Sequence, residues 1–295
     1  MSAVTEFLAP RSVEEAVAIL GADGDAVPIG GATALSPMIR EGLLVPSRLV
    51  WLGRVPEWGA IAAGSTGVRI AAGATLADIA ASATIRRLLP ALAAAAGVAA
   101  NPRVRAVATI GGHLAHADPR QDLTPVLLSA GAVCVVAGPS GERRVPLDEL
   151  LVGFYETSLL AGEVITAVEV PADTVFRQVY ARFNPASEDD YPTIGIAVQL
   201  ELEPDGTVAG ARLAAGGCAG RATLLEHTAA AIRQLPATDI DLAAVETAAA
   251  NEIPVIGDHR GTERYKRLVA GVWARRAVAA AIAGGGPLLG RYPVV

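Results

Sequence analysis

Pro28-Ile-Gly-Gly-Ala-Thr-Ala-Leu35 and, further along, Thr109-Ile-Gly-Gly-His113 decide how this chain is read. Each reads as a tight backbone turn between apolar stretches. Glycines in such a turn leave backbone N–H groups free and let them come close to a bound oxyanion. Two in series suit the two phosphates of one dinucleotide. Pro28, Ile29, Gly30, Gly31, Ala32, Thr33, Ala34 and Leu35 are therefore candidate cofactor contacts, as are Thr109, Ile110, Gly111, Gly112 and His113. Neither segment is a Rossmann fingerprint or a Walker loop. A lone Gly-Gly most often marks only a turn, so the pair carries the argument.

Outward from these segments, the bulk composition narrows the class. Hydrophobic residues make up 52% and charged residues 18% of the 295, which supports large cores and excludes a disordered chain. No stretch reads as a membrane span: residues 88–100 are too short and are broken by Pro90 and Gly97. The first residues show no basic segment followed by an apolar one, so a cytoplasmic protein is expected. A net charge of −6 without a basic block argues against nucleic acid as a main partner. Cys134 and Cys218 are too few for an iron–sulfur cluster or a four-cysteine zinc site, so any redox group is organic or sits on another subunit.

The pattern along the chain predicts an α+β protein. Ser12 caps a helix over 11–20, residues 36–41 form a short helix, and 48–52 form a strand. Residues 68–76 run as a strand into Thr75, the cap of the next helix, and an alanine-rich helix follows Pro90. Residues 123–130 read as a helix, 132–137 and 163–170 as strands, with a hairpin turn at Pro139. Beyond Pro171, residues 175–183, 193–203 and 208–215 alternate as three strands. Everything after Gly220 reads as helix, over 221–235, 241–251 and 262–283. The resulting units are 1–57, 58–172 and 173–295.

His113, His116, Asp118, Arg120 and Asp122 crowd the second segment. His-x-x-His-x-Asp offers three metal-ligand types, but its spacing matches no zinc signature. A hydrogen-bonded loop in which Asp118 or Asp122 caps the following helix is the competing reading. A third is a cofactor pocket in which a carboxylate accepts from ribose hydroxyls. No nucleophile has a base at a recognisable spacing, so hydrolase chemistry gains no support and no catalytic side chain is assigned. Asp258-His-Arg-Gly-Thr-Glu-Arg-Tyr265 is polar enough for a site, but Thr262 also reads as the cap of an ordinary helix.

In this order, the two glycine segments, Ala72-Gly-Ala-Thr75 and Asp118-Pro-Arg-Gln-Asp122 resemble the flavin-binding (medium) subunit of the molybdenum hydroxylases. That family includes the medium subunit of aerobic carbon monoxide dehydrogenase and the flavin domain of xanthine dehydrogenase. Residues 162–171, 189–195 and 258–265 fall where the family has similar segments, so the likeness covers nearly the whole chain. It implies two subdomains clasping FAD, 1–57 and 58–172, and a C-terminal α+β domain with a three-stranded sheet and helices. It implies that both glycine segments hold the diphosphate. It also implies that Asp118 and Asp122 lie at the cofactor, Ile165 near the ring system and Arg182 near the flavin or adenine end. Tyr191 reads equally as a ring neighbour or as a buried tyrosine at a strand end. The chain departs from many relatives at His113, where asparagine is common, and at Ala32-Thr33.

The function so implied is an FAD-carrying electron-transfer subunit. Its partners would be a large molybdenum-cofactor subunit and a small [2Fe-2S] subunit, assembled as a dimer of heterotrimers. Electrons would leave to quinone, NAD or oxygen. A stand-alone FAD oxidase and a non-catalytic scaffold of the same fold are the alternatives.

Overall fold

Short polar residues end the helices where the sequence places them. In this computed structural model, which describes residues 6–172, 176–185, 187 and 189–290, the Ser12 hydroxyl accepts from the Glu15 amide and opens helix Val13–Ala22. Thr75 and Asp78 form a reciprocal capping box at helix Leu76–Ala81.

The chain builds three main sheets in succession. Strands β1 (Glu6–Leu8), β2 (Ala26–Ile29) and β3 (Arg48–Trp51) form a parallel sheet in the order β1-β3-β2. Pro28 is tolerated because β2 is an edge strand, where a missing N–H breaks no ladder. Strands β4 (Ile61–Ala63), β5 (Gly67–Ala71), β6 (Val133–Gly138) and β7 (Gly141–Pro146) belong to a second, antiparallel sheet. A hairpin of β8 (Leu151–Gly153) and β9 (Glu156–Thr157) precedes its central strand, β10 (Val164–Pro171), and the order is β4-β5-β10-β6-β7. Helices Leu76–Ala81, Pro90–Val98, Ile110–His116 and Leu123–Ser129 share one apolar core with this sheet. Ile70, Ile79, Leu92, Leu114 and Leu127 are all essentially solvent-free there, each side chain contributing roughly 1.5–3 kcal/mol of burial.

The third sheet corrects the expectation of three strands. Strands β11 (Phe176–Phe183), β12 (Ile194–Leu202) and β13 (Val208–Gly216) are flanked by β14 (Thr223–Leu224) and β15 (Leu288–Gly290), in the order β14-β13-β12-β11-β15. The two extra strands are too short to show a two-residue period. The helix expected over 221–235 is corrected with them. Thr223 and Leu224 pair with Ala215 and Ala214, and only Glu226–Ala230 is helical. The two helices expected beyond it are present, as Leu242–Glu252 and Glu263–Ile282.

This sheet is covered on both sides. One face packs on helices Leu242–Glu252 and Glu263–Ile282, with Trp273 stacked on Phe183. The other meets helix Leu123–Ser129 through small residues. A Cβ on Gly216 would lie 3.2 Å from the Pro125 ring, so the helix approaches the strand backbone closely. That contact sets the Asp118–Asp122 stretch against the C-terminal end of β13, where the N–H of Gly217, just beyond the strand, donates to the Pro119 carbonyl.

Candidate functional site

The two glycine segments, far apart in the chain, touch. A Cβ on Gly31 would lie 1.8 Å from the Val107 carbonyl oxygen, and one on Gly30 would lie 2.5 Å from Thr109 Oγ1. A Cβ on Gly111 would meet that of Ala72 at 2.6 Å. None of these three glycines has a positive φ, so close approach of backbones is what requires them. The left-handed residue here is Ala32, at φ 55°, a conformation that strains a side-chain-bearing residue.

The segments differ in what their amides do. Among the described residues, the N–H groups of Gly31, Ala32, Thr33 and Ala34 have no acceptor. The second segment has its amides occupied. Ile110 donates to the Ala74 carbonyl, Gly111 to Ala72 (2.8 Å), Gly112 to Thr109 Oγ1 (3.2 Å) and His113 to the Thr109 carbonyl. Thr109-Ile-Gly-Gly-His113 is therefore not a turn but the capped first turn of helix Ile110–His116, beside the equally capped Thr75. The expectation of a turn at the second segment is thus corrected to a helix start, and one open loop faces one closed helix start. Clustered unsatisfied backbone donors form a site for an anion, and a diphosphate fits the donor set at 31–34.

Downstream of that helix a polar network closes around Asp118. Its carboxylate accepts from Arg120 Nε (2.9 Å), Arg120 Nη2 (3.0 Å) and Tyr155 Oη (2.9 Å). Burial opposes the charge on Asp118, but the hydrogen bonds from Arg120 outweigh it and hold the carboxyl below the usual range. Tyr155 enters from the β8–β9 hairpin with φ 56°, edge-on to His116 at 5.0 Å. The Tyr191 ring lies under the Arg120 guanidinium (4.9 Å) and near that of Arg260 (5.9 Å). Burial pushes the Tyr191 phenol up to about 12. Tyr191 is 41% exposed, which leaves part of its ring open to a ligand.

Asp122 lies deeper. It stands at the cap position of helix Leu123–Ser129 but makes no capping bond, which corrects that reading of its carboxylate. Instead Oδ1 accepts from Tyr180 Oη (2.6 Å) and Arg182 Nε (2.7 Å), and all three residues are buried. Burial pushes the Asp122 carboxyl up, and the Arg182 charge opposes it. Tyr180 and Arg182 alternate on β11 and so share a face. Ile165 is 4% exposed in β10, within the core of the second sheet.

Among the described residues, no group of three or more His, Cys, Asp or Glu side chains is placed to hold a metal ion. His113 Nε2 is instead 3.5 Å from Thr124 Oγ1. Burial of the imidazole pushes it down to about 3, although the residue keeps some exposed surface. Tyr155 and Tyr180 escaped the sequence reading as members of this site, and Arg260 entered it only within the polar stretch 258–265, weighed there against an ordinary helix start. The alternation of Tyr180 with Arg182 on one strand was the available signal for the first of these two partners of Asp122.

Residues 3–173 match the family model described as the FAD binding domain in molybdopterin dehydrogenase, and residues 179–281 match that of the CO dehydrogenase flavoprotein C-terminal domain. The chain is 34% identical to the carbon monoxide dehydrogenase medium chain of Hydrogenophaga pseudoflava, over 94% of this chain and 96% of that one. It is 30% identical to the nicotine 6-hydroxylase medium subunit of Paenarthrobacter nicotinovorans, over 92% and 95%. Among solved structures, carbon monoxide dehydrogenase from Hydrogenophaga pseudoflava superposes with a TM-score of 0.92 at 34% identity, covering 97% of this chain and 100% of that one. Quinoline 2-oxidoreductase from Pseudomonas putida 86 does so with a TM-score of 0.90 at 26% identity, covering 96% and 99%.

Proposed function

Because this chain belongs to the FAD-binding medium-subunit family of the molybdenum hydroxylases, we propose that it relays electrons from the iron–sulfur clusters of a partner subunit to an external acceptor. The chain is an FAD-binding oxidoreductase subunit. Bound FAD supplies the electron-transfer chemistry, and the protein supplies position and electrostatics.

The open loop at Gly31, Ala32, Thr33 and Ala34 is the observation that carries this reading, because its free N–H groups suit a diphosphate. The helix start at Thr109–His113 forms the wall against which that loop is set. Asp118 fixes Arg120 and Tyr155 beside Tyr191, whose partly open ring would border the flavin. Asp122 and Arg182, committed to each other, would act at one remove by holding the C-terminal sheet against the cofactor side. Ile165 would back the ring from within the core. Two cofactor-clasping subdomains, 1–57 and 58–172, followed by a C-terminal domain over 173–295, complete the reading.

The medium chains it resembles are named as parts of larger enzymes, which supports a large molybdenum-cofactor subunit and a small [2Fe-2S] subunit as partners here. The assembly would be a dimer of heterotrimers, working in the cytoplasm. Quinone, NAD and oxygen are the candidate acceptors. No described helix is long and apolar enough to cross a membrane.

The test is the absorption spectrum of the purified chain, with the cofactor identified after denaturation. Flavin bands and about one FAD per chain are expected. A colourless protein that takes up no added FAD overturns the proposal.

A further inference from the structure

Tyr191 is held by residues from three separate parts of the chain, and one of them has no other visible task. Asp190, its neighbour, gives its backbone carbonyl to Arg182 Nη2 (2.5 Å) and to Asn184 Nδ2 (2.9 Å). The Asp190 carboxylate takes Arg260 Nη2 at 2.6 Å. The Arg260 guanidinium then reaches the Tyr191 ring, opposite in sequence to Arg120, which contacts the same ring from the Asp118 network.

Arg260 is a cation with 10% of its side chain exposed, yet Nε and Nη1 have no hydrogen-bond partner among the described residues. A buried guanidinium that uses one of its three nitrogens is poorly compensated for lost hydration, so it is an inefficient way to stabilise a fold. Its attachments are Asp190 and the face of Tyr191, both in the stretch 189–192. The backbone around it is tied down independently. Asp258 and Gly261 exchange backbone hydrogen bonds, and the Asp258 carboxylate is bonded by the buried Lys266 at 2.8 Å. Arg260 therefore projects from a fixed turn.

We propose that Arg260 is a positioning residue for the flavin site: through Asp190 it fixes residues 189–192 and so the orientation of Tyr191. This rests on the reading that Tyr191 borders the flavin. It assigns a role to the segment Asp258-His-Arg-Gly-Thr-Glu-Arg-Tyr265 beyond that of a helix cap, and it ties the C-terminal helices to the cofactor.

The experiment compares wild type, Arg260→Gln and Arg260→Lys, each as the full chain. Two readouts are taken: amide hydrogen exchange over residues 189–193, and the visible circular dichroism and reduction potential of the bound flavin. In Arg260→Gln, exchange over 189–193 should rise about tenfold or more, as expected for loss of a charge-assisted hydrogen bond. The flavin dichroism and potential should shift at unchanged FAD content, and Arg260→Lys should recover part of both. Unchanged exchange in folded Arg260→Gln overturns the proposal. Faster exchange with an unchanged flavin signal also overturns it, since Arg260 would then anchor a loop without reaching the cofactor. If Arg260→Gln does not fold, Asp190→Asn removes the same ion pair from its more exposed side and must show the same pair of changes. A colourless wild type removes the flavin half of the proposal together with the function it rests on, while the exchange measurement still decides the anchoring.

Discussion

The two glycine pairs look alike in sequence and do opposite things in space. At Gly30-Gly31 the missing side chains let the loop press against Val107 and Thr109, and the loop keeps four amides without acceptors among the described residues. At Gly111-Gly112 the amides are bonded, to the Ala72 carbonyl and to Thr109 Oγ1, and Gly111 is the more tightly packed of the two. Glycine is thus required in both segments by close approach, while among the described residues only the first leaves a run of amides without acceptors. A Gly-Gly pair announces that something comes close; it does not say whether that is a ligand or another part of the same chain.

The most severe test of this contrast is Gly31→Ala. A methyl group 1.8 Å from a carbonyl oxygen forces the two segments apart, and a loss of about 3 kcal/mol or more is expected in denaturant unfolding. A variant that unfolds with the wild type would mean that the segments are not pressed together at Gly31. Next is Ala34→Pro, which deletes one free amide at a φ of −88°, close to the proline range. FAD affinity should fall about tenfold with the melting temperature maintained, as for loss of one hydrogen bond to a charged group. Unaltered affinity in a titration would remove Ala34 from the donor set.

A smaller and pH-dependent effect separates the segments electrostatically. His113 is held neutral in the folded chain, with its value lowered from 6.5 to about 3 by burial. The unfolded chain takes up a proton as pH falls through 6.5, whereas the folded chain does not until about 3. The stability linked to His113 is therefore fully present above 6.5 and is lost progressively as pH falls. His113→Asn should flatten the decline in melting temperature between about pH 7.5 and 5, relative to wild type. Parallel declines would show that the imidazole is protonated alike in both states. The smallest change is expected for Gly112→Ala, whose Cβ would meet only Thr109 Oγ1, at 3.1 Å. Helix propensity favours the alanine and the contact opposes it, so stability should stay within about 1 kcal/mol, with FAD content unchanged. Loss of flavin in this variant would place the second segment, too, in direct contact with the cofactor.

Much of the fold was legible because its signals are local. Ser12, Thr75 and Thr262 each precede a helical run and each caps it. The three long C-terminal strands show their alternation over eight or nine residues. Thr223–Leu224 and Leu288–Gly290 become strands only because a neighbouring edge is there to pair with. At the site, the crowding of polar residues after His113 was visible, but their partners were not. Asp122 reads as a helix cap until Tyr180 and Arg182 arrive from β11, and Arg260 reads as a surface arginine until Asp190 is beside it.

The sequence by itself determined the helix caps at Ser12, Thr75 and Thr262, the long strands, the paired glycine segments and the family to which those motifs belong. Each depends on residues within a few positions of one another, where backbone propensity and side-chain reach are enough. The tertiary structure decided which amides remain free, which carboxylates are already taken and which ring stays open. Hydrogen-bonding capacity is finite, and whether a donor is left for a ligand depends on the distant groups that folding brings to it.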